Sequence, residues 1–284
     1  MALIEIKNFG FKYPLQKDWA LKEINLKIEK GTFYGIIGKN GSGKSSLCYA
    51  LRGFIPHFYS GKMEGDITIE GKNIKDQNLG ELGLKIGFVF QNPFNQISGA
   101  TLTVFEEIAY GLENLGVNPE EIIKKTNKVI ELLGIEELKE KNPYELSGGQ
   151  QQKVAIASIL VMEPEILILD EPTSQLDPIG TVEILETIKS LKKEDMTIIL
   201  VEHKLDLIAE ICNQLIVLKD GHIHLKGPLK EVFTEPDFTD SGMKRPEVIE
   251  ITQKLKEDYG YNLEPALTLP DCLRILRSLQ ERSS

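Results

Sequence analysis

Gly38-Lys39-Asn40-Gly41-Ser42-Gly43-Lys44-Ser45 fits the pattern G-x-x-x-x-G-K-[ST] at every position. The apolar run 33–37 leads into it as a predicted buried strand, and residues 45–51 follow as a predicted helix. Glycine lets the backbone fold so that successive N–H groups turn inward and cradle phosphate oxygens. The N-terminus of the following helix adds its positive dipole end. In that setting Lys44 reaches the β- and γ-phosphates of a nucleotide, and the Ser45 hydroxyl ligates Mg2+. A chance glycine-rich turn has no need of a strand before it and a helix after it; this segment has both.

Working outward, residues 3–9 and 24–28 read as strands, as do 66–70 and 86–90. From Thr103 to about Leu160 the apolar spacing is helical. Thr103 and Glu106 form a T-x-x-E capping box, and residues 120–133 repeat apolar positions at Ile122, Ile123, Val129, Ile130 and Leu133. Strands return at 166–169 and 197–201 around a helix near 182–191. The fold class is therefore α/β: a parallel sheet flanked by helices and interrupted by a helical insert, with a small helical appendage at the C-terminus. Ile166-Leu167-Ile168-Leu169-Asp170-Glu171 supplies the other half of the phosphate site. A buried strand delivers Asp170 at its C-terminal end, where α/β sheets place ligands. There Asp170 holds Mg2+ and Glu171 orients the attacking water.

The bulk properties narrow the class. The 284-residue chain is 41% hydrophobic and 27% charged, as a folded globular protein is. Its formal net charge of -10 argues against nucleic acid as the main partner. Residues 1–100 nevertheless carry 13 Lys/Arg against 9 Asp/Glu, so the basic excess lies with the phosphate loop. Cys48, Cys212 and Cys272 have neither metal nor disulfide spacing and read as reduced structural thiols. The first residues already alternate like a strand rather than a signal peptide, and no apolar run approaches the length of a membrane span. Any membrane role needs another protein as anchor.

Leu146-Ser147-Gly148-Gly149-Gln150 gives the sharpest assignment. Ser147 can cap the helix that runs on through Val154, Ala155 and Ile159, and the glycines admit close backbone approach, so the segment is either a plain helix cap or an anion site. It resembles the signature sequence of ATP-binding-cassette ATPases. In that family two cassettes pair head to tail, and each signature closes on the γ-phosphate held by the other's loop. The resemblance implies that Ser147, Gly148, Gly149 and Gln150 contact nucleotide on a second chain, and that Gly38, Asn40, Gly41, Ser42, Gly43, Lys44, Ser45 and Ser46 bind it on their own. Gln91, after strand 86–90, looks like the glutamine that contacts Mg2+ and the attacking water. Ser174-Gln175-Leu176-Asp177 looks like the D-loop, with Gln175 in place of the usual small residue. His203 looks like the switch histidine that bonds the γ-phosphate, and Tyr13 like the aromatic that stacks on adenine; by the residues alone both also read as structural. The catalytic set so implied is Glu171, His203, Gln91 and Lys44, with ATP and Mg2+ as cofactors.

Ile55-Pro56-His57-Phe58-Tyr59, Gln91-Asn92-Pro93 and residues 103–114 also resemble the ATPase subunits of energy-coupling-factor transporters, importers of vitamins and transition-metal ions. The resemblance implies a P-loop cassette over 1–240, with an antiparallel β part at the N-terminus and a helical subdomain at about 95–160, a dimerisation appendage over 241–284, and a place at the cytoplasmic face of the cell membrane. It implies as partners a second cassette, identical or a paralogue, together with a transmembrane scaffold subunit and a substrate-binding membrane subunit. The alternatives are the ATPase of an ordinary solute transporter and a soluble mechanical cassette. In the appendage, Pro246 opens a helix with apolar positions Val248, Ile251 and Leu255 and a stop at Gly260; Pro270 opens another with Leu273, Leu276 and Leu279. Glu106, Glu107 and Glu113 are expected to form an acidic face that docks basic cytoplasmic segments of the membrane partner.

Overall fold

The computed structural model describes residues 2–194 and 196–283. The chain opens with β1 (Ala2–Lys12), β2 (Leu21–Glu29) and β3 (Phe33–Gly38), then α1 (Lys44–Arg52) and the short α2 (Phe54–His57). β4 (Lys62–Ile69) and β5 (Lys72–Asn73) follow, and α3 (Leu79–Lys85) leads into β6 (Ile86–Val89). Three helices, α4 (Val104–Asn114), α5 (Pro119–Leu133) and α6 (Gly148–Leu160), separate β6 from β7 (Ile166–Asp170). Next come α7 (Pro178–Ser190), β8 (Thr197–Val201), α8 (Leu205–Ile211), β9 (Gln214–Lys219), β10 (His222–Pro228) and α9 (Leu229–Thr234). Helices α10 (Glu247–Tyr259) and α11 (Leu269–Ser283) close the described chain.

The strands form two sheets. The smaller is antiparallel, in the order β2-β1-β4-β5; the larger runs β10-β9-β3-β8-β7-β6, parallel except for its edge strand β10. Side chains on a strand alternate faces, so each central strand feeds two cores. Phe33 and Ile37, Leu167 and Leu169, and Ile198 and Leu200 pack against the helical side. Tyr34 and Ile36, Ile166 and Ile168, and Ile199 and Val201 pack toward α1 and the small sheet. A parallel sheet covered on both faces reads as continuous apolar runs, which is how these strands read in sequence.

Helix boundaries follow their caps. The Thr103–Glu106 capping box forms in both directions, and Ser147 and Gln150 form a second one at the start of α6. Helix α7 begins at Pro178, four residues before the expected start, because the Asp177 carboxylate accepts the Gly180 N–H at 2.7 Å and proline suits the first turn. Strands β9 and β10 and helices α8 and α9 occupy a stretch to which sequence patterning assigned nothing.

One expectation about a surface is corrected. Glu107 is only 3% exposed: it turns inward and accepts hydrogen bonds from Ser98 N (2.7 Å), Ser98 Oγ (2.7 Å) and Thr101 Oγ1 (2.6 Å). Glu106 is tied to the backbone N–H groups of Leu102 and Thr103. The three glutamates therefore do not make a common acidic face; three short donors outcompete solvation for Glu107. In the appendage, α10 buries Val248, Ile249 and Thr252, and the Thr252 hydroxyl accepts the Ala266 N–H at 3.2 Å. Val248, Ile249, Ala266 and Cys272 join the helical-side core. The other apolar positions Ile251, Leu273 and Leu276 are exposed.

All three cysteines are free and buried. Burial pushes the Cys212 thiol up to about 12 and that of Cys48 well above its usual range.

Candidate nucleotide-binding and hydrolysis site

Four strands of the large sheet end side by side. Ile36 of β3 pairs with Val201 of β8, Asp170 of β7 pairs with the same Val201, and Val89 of β6 pairs with Leu169 of β7. The residues just past those ends are the phosphate loop, Glu171, His203 and Gln91. The crevice beyond the carboxyl ends of parallel strands is where such sheets bind ligands.

The loop between β3 and α1 is braced from two sides. Gly221 N–H donates to Ser42 O at 3.1 Å, and Gly43, at φ 104, lies against the backbone of the β1–β2 connection. A Cβ on Gly43 would sit 2.7 Å from Ala20 O, so the position requires glycine for both space and φ. Lys44 is buried, and its ammonium donates to Gly38 O at 3.0 Å and Lys39 O at 3.3 Å. Burial lowers its pKa, against the pull of the Glu171 and Asp170 carboxylates.

Tyr13 stands at the other end of the loop, its hydroxyl 3.1 Å from Ser46 Oγ and its ring edge-on to Phe11 and Tyr59. Tyr13, Asn40, Gly41, Gly43, Lys44, Ser45, Ser46, Gln91 and Glu171 line one cavity of about 550 Å3, together with Gln16, Asp18, Trp19 and Ala20. Gly38 and Ser42 lie behind it, in the buried turn of the loop. Trp19 and its neighbours carry no motif, which is why sequence reading passed over them.

Asp170 is buried, and burial pushes its carboxyl up to about 6 against the opposing pull of a Ser45 hydrogen bond and the Lys44 charge. Its Oδ1 has no hydrogen-bond partner among the described residues. A buried, unmatched carboxylate oxygen beside a serine hydroxyl is a hard-oxygen donor set, the kind that suits Mg2+ alongside phosphate and water oxygens.

Glu171 takes φ 52, a left-handed conformation costly for a residue with a Cβ. Its N–H donates to Val201 O at 3.0 Å, so the ladder between β7 and β8 holds the strained residue in place. The turn sends its carboxylate between two partners: Gln91 Nε2 donates to Oε2 at 3.0 Å, and His203 Nε2 lies 2.7 Å from Oε1. Glu202, which the sequence reading did not single out, is 3% exposed and accepts from Thr173 and from His203 N–H.

Ser147, Gly148, Gly149, Gln150 and Asp177 do not line this cavity. Ser147 and Gly148 are exposed at the start of α6. Their helix abuts the start of α7: a Cβ on Gly149 would come 3.2 Å from Gly180 Cα. The first turn of α6 and the first turn of α7 thus approach backbone to backbone, away from this cavity.

Comparison with known proteins agrees with this geometry. The family described as "ABC transporter" matches residues 21–174. A Pyrococcus abyssi protein, provisionally named an ABC transporter ATP-binding protein, is 42% identical over 259 residues, 90% of this chain and 92% of its own length. The energy-coupling factor transporter ATP-binding protein EcfA1 of Streptococcus sanguinis is 34% identical over 282 residues, 99% of this chain and 96% of its own. The structure of cbiO1 from Clostridium perfringens, described as part of the ABC transporter complex cbiONQ, superposes with a TM-score of 0.75 at 34% identity, covering 90% of this chain and 95% of that one. With a phosphate loop, a buried carboxylate and a strained glutamate meeting at one sheet edge, and with relatives matching nearly end to end, the chain belongs to the ABC transporter family as one of its ATP-binding, ATP-hydrolysing subunits.

Proposed function

We propose that the chain powers an energy-coupling-factor importer for a vitamin or a transition-metal ion, acting at the cytoplasmic face of the cell membrane. The observation that carries the reading is the division of the site within one chain. The phosphate loop lines one cavity with Tyr13, Gln91 and Glu171, whereas the capped turn at Ser147 is exposed outside that cavity. A second cassette, identical or a paralogue, placed head to tail supplies what each surface lacks. The names of the Streptococcus and Clostridium relatives support the transporter class.

In this reading Lys44 leaves its loop carbonyls for the β- and γ-phosphates, while Gly38, Asn40, Gly41, Ser42, Gly43, Ser45 and Ser46 line the phosphate cradle and Tyr13 stacks on adenine. Ser45, Asp170 and Gln91 are the residues that hold Mg2+, which when bound neutralises charge between the phosphates. Gln91 and His203 both meet the Glu171 carboxylate, one at each oxygen, and hold it where it orients and polarises the attacking water. His203 then bonds the γ-phosphate. Ser147, Gly148, Gly149 and Gln150 meet the γ-phosphate of the other chain, and Asp177 with its D-loop, including Gln175, lies at the seam. Catalysis is positioning and charge neutralisation, as phosphoryl transfer generally is.

Among the described residues no helix is long and apolar enough to cross a membrane, so transport needs membrane subunits as partners. The test is affinity purification of the tagged chain from detergent-solubilised membranes. The expected result is co-purification with one transmembrane scaffold and a small substrate-binding membrane subunit. Recovery with paired permease subunits instead, or with ribosomes, would replace this reading by one of its alternatives.

The appendage, residues 241–284, is assigned to pairing of the cassettes. Its outward row of Ile251, Leu269, Leu273 and Leu276 is apolar and exposed, a face that association with a second copy would bury. Deleting residues after Ser241 is expected to weaken dimerisation of the nucleotide-free protein by about tenfold or more while changing nucleotide affinity little. Sedimentation of both forms decides it; equal dimerisation would reduce the appendage to intrachain packing.

A further inference from the structure

The catalytic pair Glu171–His203 is fixed relative to the rest of the site by a third acid that none of the motifs includes. Glu202 follows β8 directly and lies beside Glu171 in the register, since Asp170 pairs with Val201. Its carboxylate gathers three donors. Thr173 N–H and Thr173 Oγ1 both donate to Oε1, at 3.2 and 2.6 Å, and His203 N–H donates to Oε2 at 3.1 Å. Thr173 belongs to the segment leaving β7 two residues after Glu171, and His203 belongs to the segment leaving β8. One buried carboxylate therefore ties together the two chain exits whose side chains meet at 2.7 Å.

We propose that Glu202 is a positioning residue for ATP hydrolysis, setting the height and direction of His203 against Glu171. The proposal rests on the hydrolytic reading of Glu171 and His203 given above. A carboxylate is the group this place demands. It is acceptor-only, and two of the three donors are backbone N–H groups that cannot reverse. Glutamine has the same shape but must turn an NH2 toward one side. Facing His203 N–H, it sets donor against donor; facing Thr173, the hydroxyl can switch to accepting but the Thr173 N–H cannot. Either way the two exits lose one tie, and the catalytic pair loses its fixed spacing. A displacement of this kind acts on the reacting geometry and not on the phosphate cradle, because none of the three donors lies in the loop from Gly38 to Ser46.

The test is steady-state ATPase kinetics on Glu202→Gln and Thr173→Val, with fluorescent-ATP titration and thermal melting on the same preparations and Thr173→Ser as the conservative variant. The expected result for Glu202→Gln is a fall in kcat on the order of tenfold, with KM and ATP affinity changed less than about twofold. Thr173→Val, which keeps the carboxylate but removes the shortest of its three bonds, should move kcat in the same direction, and Thr173→Ser should restore it. Unchanged kcat in folded Glu202→Gln would overturn the proposal. So would kcat and ATP affinity falling together with the melting temperature, which marks a merely structural acid. If Glu202→Gln does not fold, unchanged kcat in Thr173→Val overturns it alone. Failure of the underlying reading is separate: it shows as wild-type protein without ATPase activity, or as Glu171→Gln with normal turnover.

Discussion

Glu171→Gln is expected to lower ATP turnover by about two to three orders of magnitude while leaving nucleotide binding in place. The Glu171 carboxylate is the one that meets both Gln91 and His203, and the amide that replaces it has lost the negative charge. The rest of the site survives the change. Asp170 keeps its place beside Ser45, and Lys44 keeps its loop. The main-chain turn at φ 52 is held by the Glu171 N–H to Val201 O bond, which the substitution does not touch. Because ATP still binds but is not consumed, the ATP-bound pair of cassettes should accumulate. Phosphate release measures the first effect and light scattering the second. Turnover within a few-fold of wild type would remove Glu171 from the role assigned to it.

Lys44→Ala should act one step earlier, at binding. The ammonium is 5% exposed and is the only cation lining the cavity among the described residues. Its loss leaves the triphosphate without its nearest positive charge and takes the ammonium donor from the Gly38 and Lys39 carbonyls, of which Lys39 O keeps the Ser42 N–H. Removing one partner of a buried charged contact costs ~2–5 kcal/mol, which corresponds to an affinity loss of roughly 30- to several thousand-fold. Fluorescent-ATP titration reads it directly. An affinity within about threefold of wild type would mean that the phosphates sit elsewhere.

Much of this site was legible before any coordinates because its chemistry demands rigid spacing. The phosphate loop needs glycines at fixed offsets, and Asp170 follows four consecutive aliphatic residues because it must emerge from a buried strand. Both capping boxes were readable for the same reason, since a local bond imposes a local pattern. The errors lie where the deciding contact is distant in sequence. Glu107 looked like a surface acid on a helix, and only the fold brings Ser98 and Thr101 onto it. Helical spacing in the appendage predicted an apolar stripe but not which side of the stripe would face the cassette. Thr252 and Cys272 face the cassette and Ile251 and Leu273 face outward, a result of how the loop through Ala266 crosses back. Strand β9 went unread because a short apolar run without alternation carries no period to detect. Glu202 stood next to His203 in plain view, yet nothing in the sequence shows that three donors converge on it.

The burial of every thiol in the chain makes the protein a ready chassis for site-directed labelling. Cys48, Cys212 and Cys272 are shut away from solvent, and burial holds each thiol in its protonated, unreactive form. A maleimide or nitroxide reagent therefore finds no native target on the folded molecule. A single cysteine introduced at an exposed position away from the site, such as Lys72 or Lys124, becomes the sole addressable handle without prior removal of the natural ones. Distances between two such handles on paired chains, followed by spin or fluorescence methods through a turnover cycle, can then be recorded on the otherwise natural sequence.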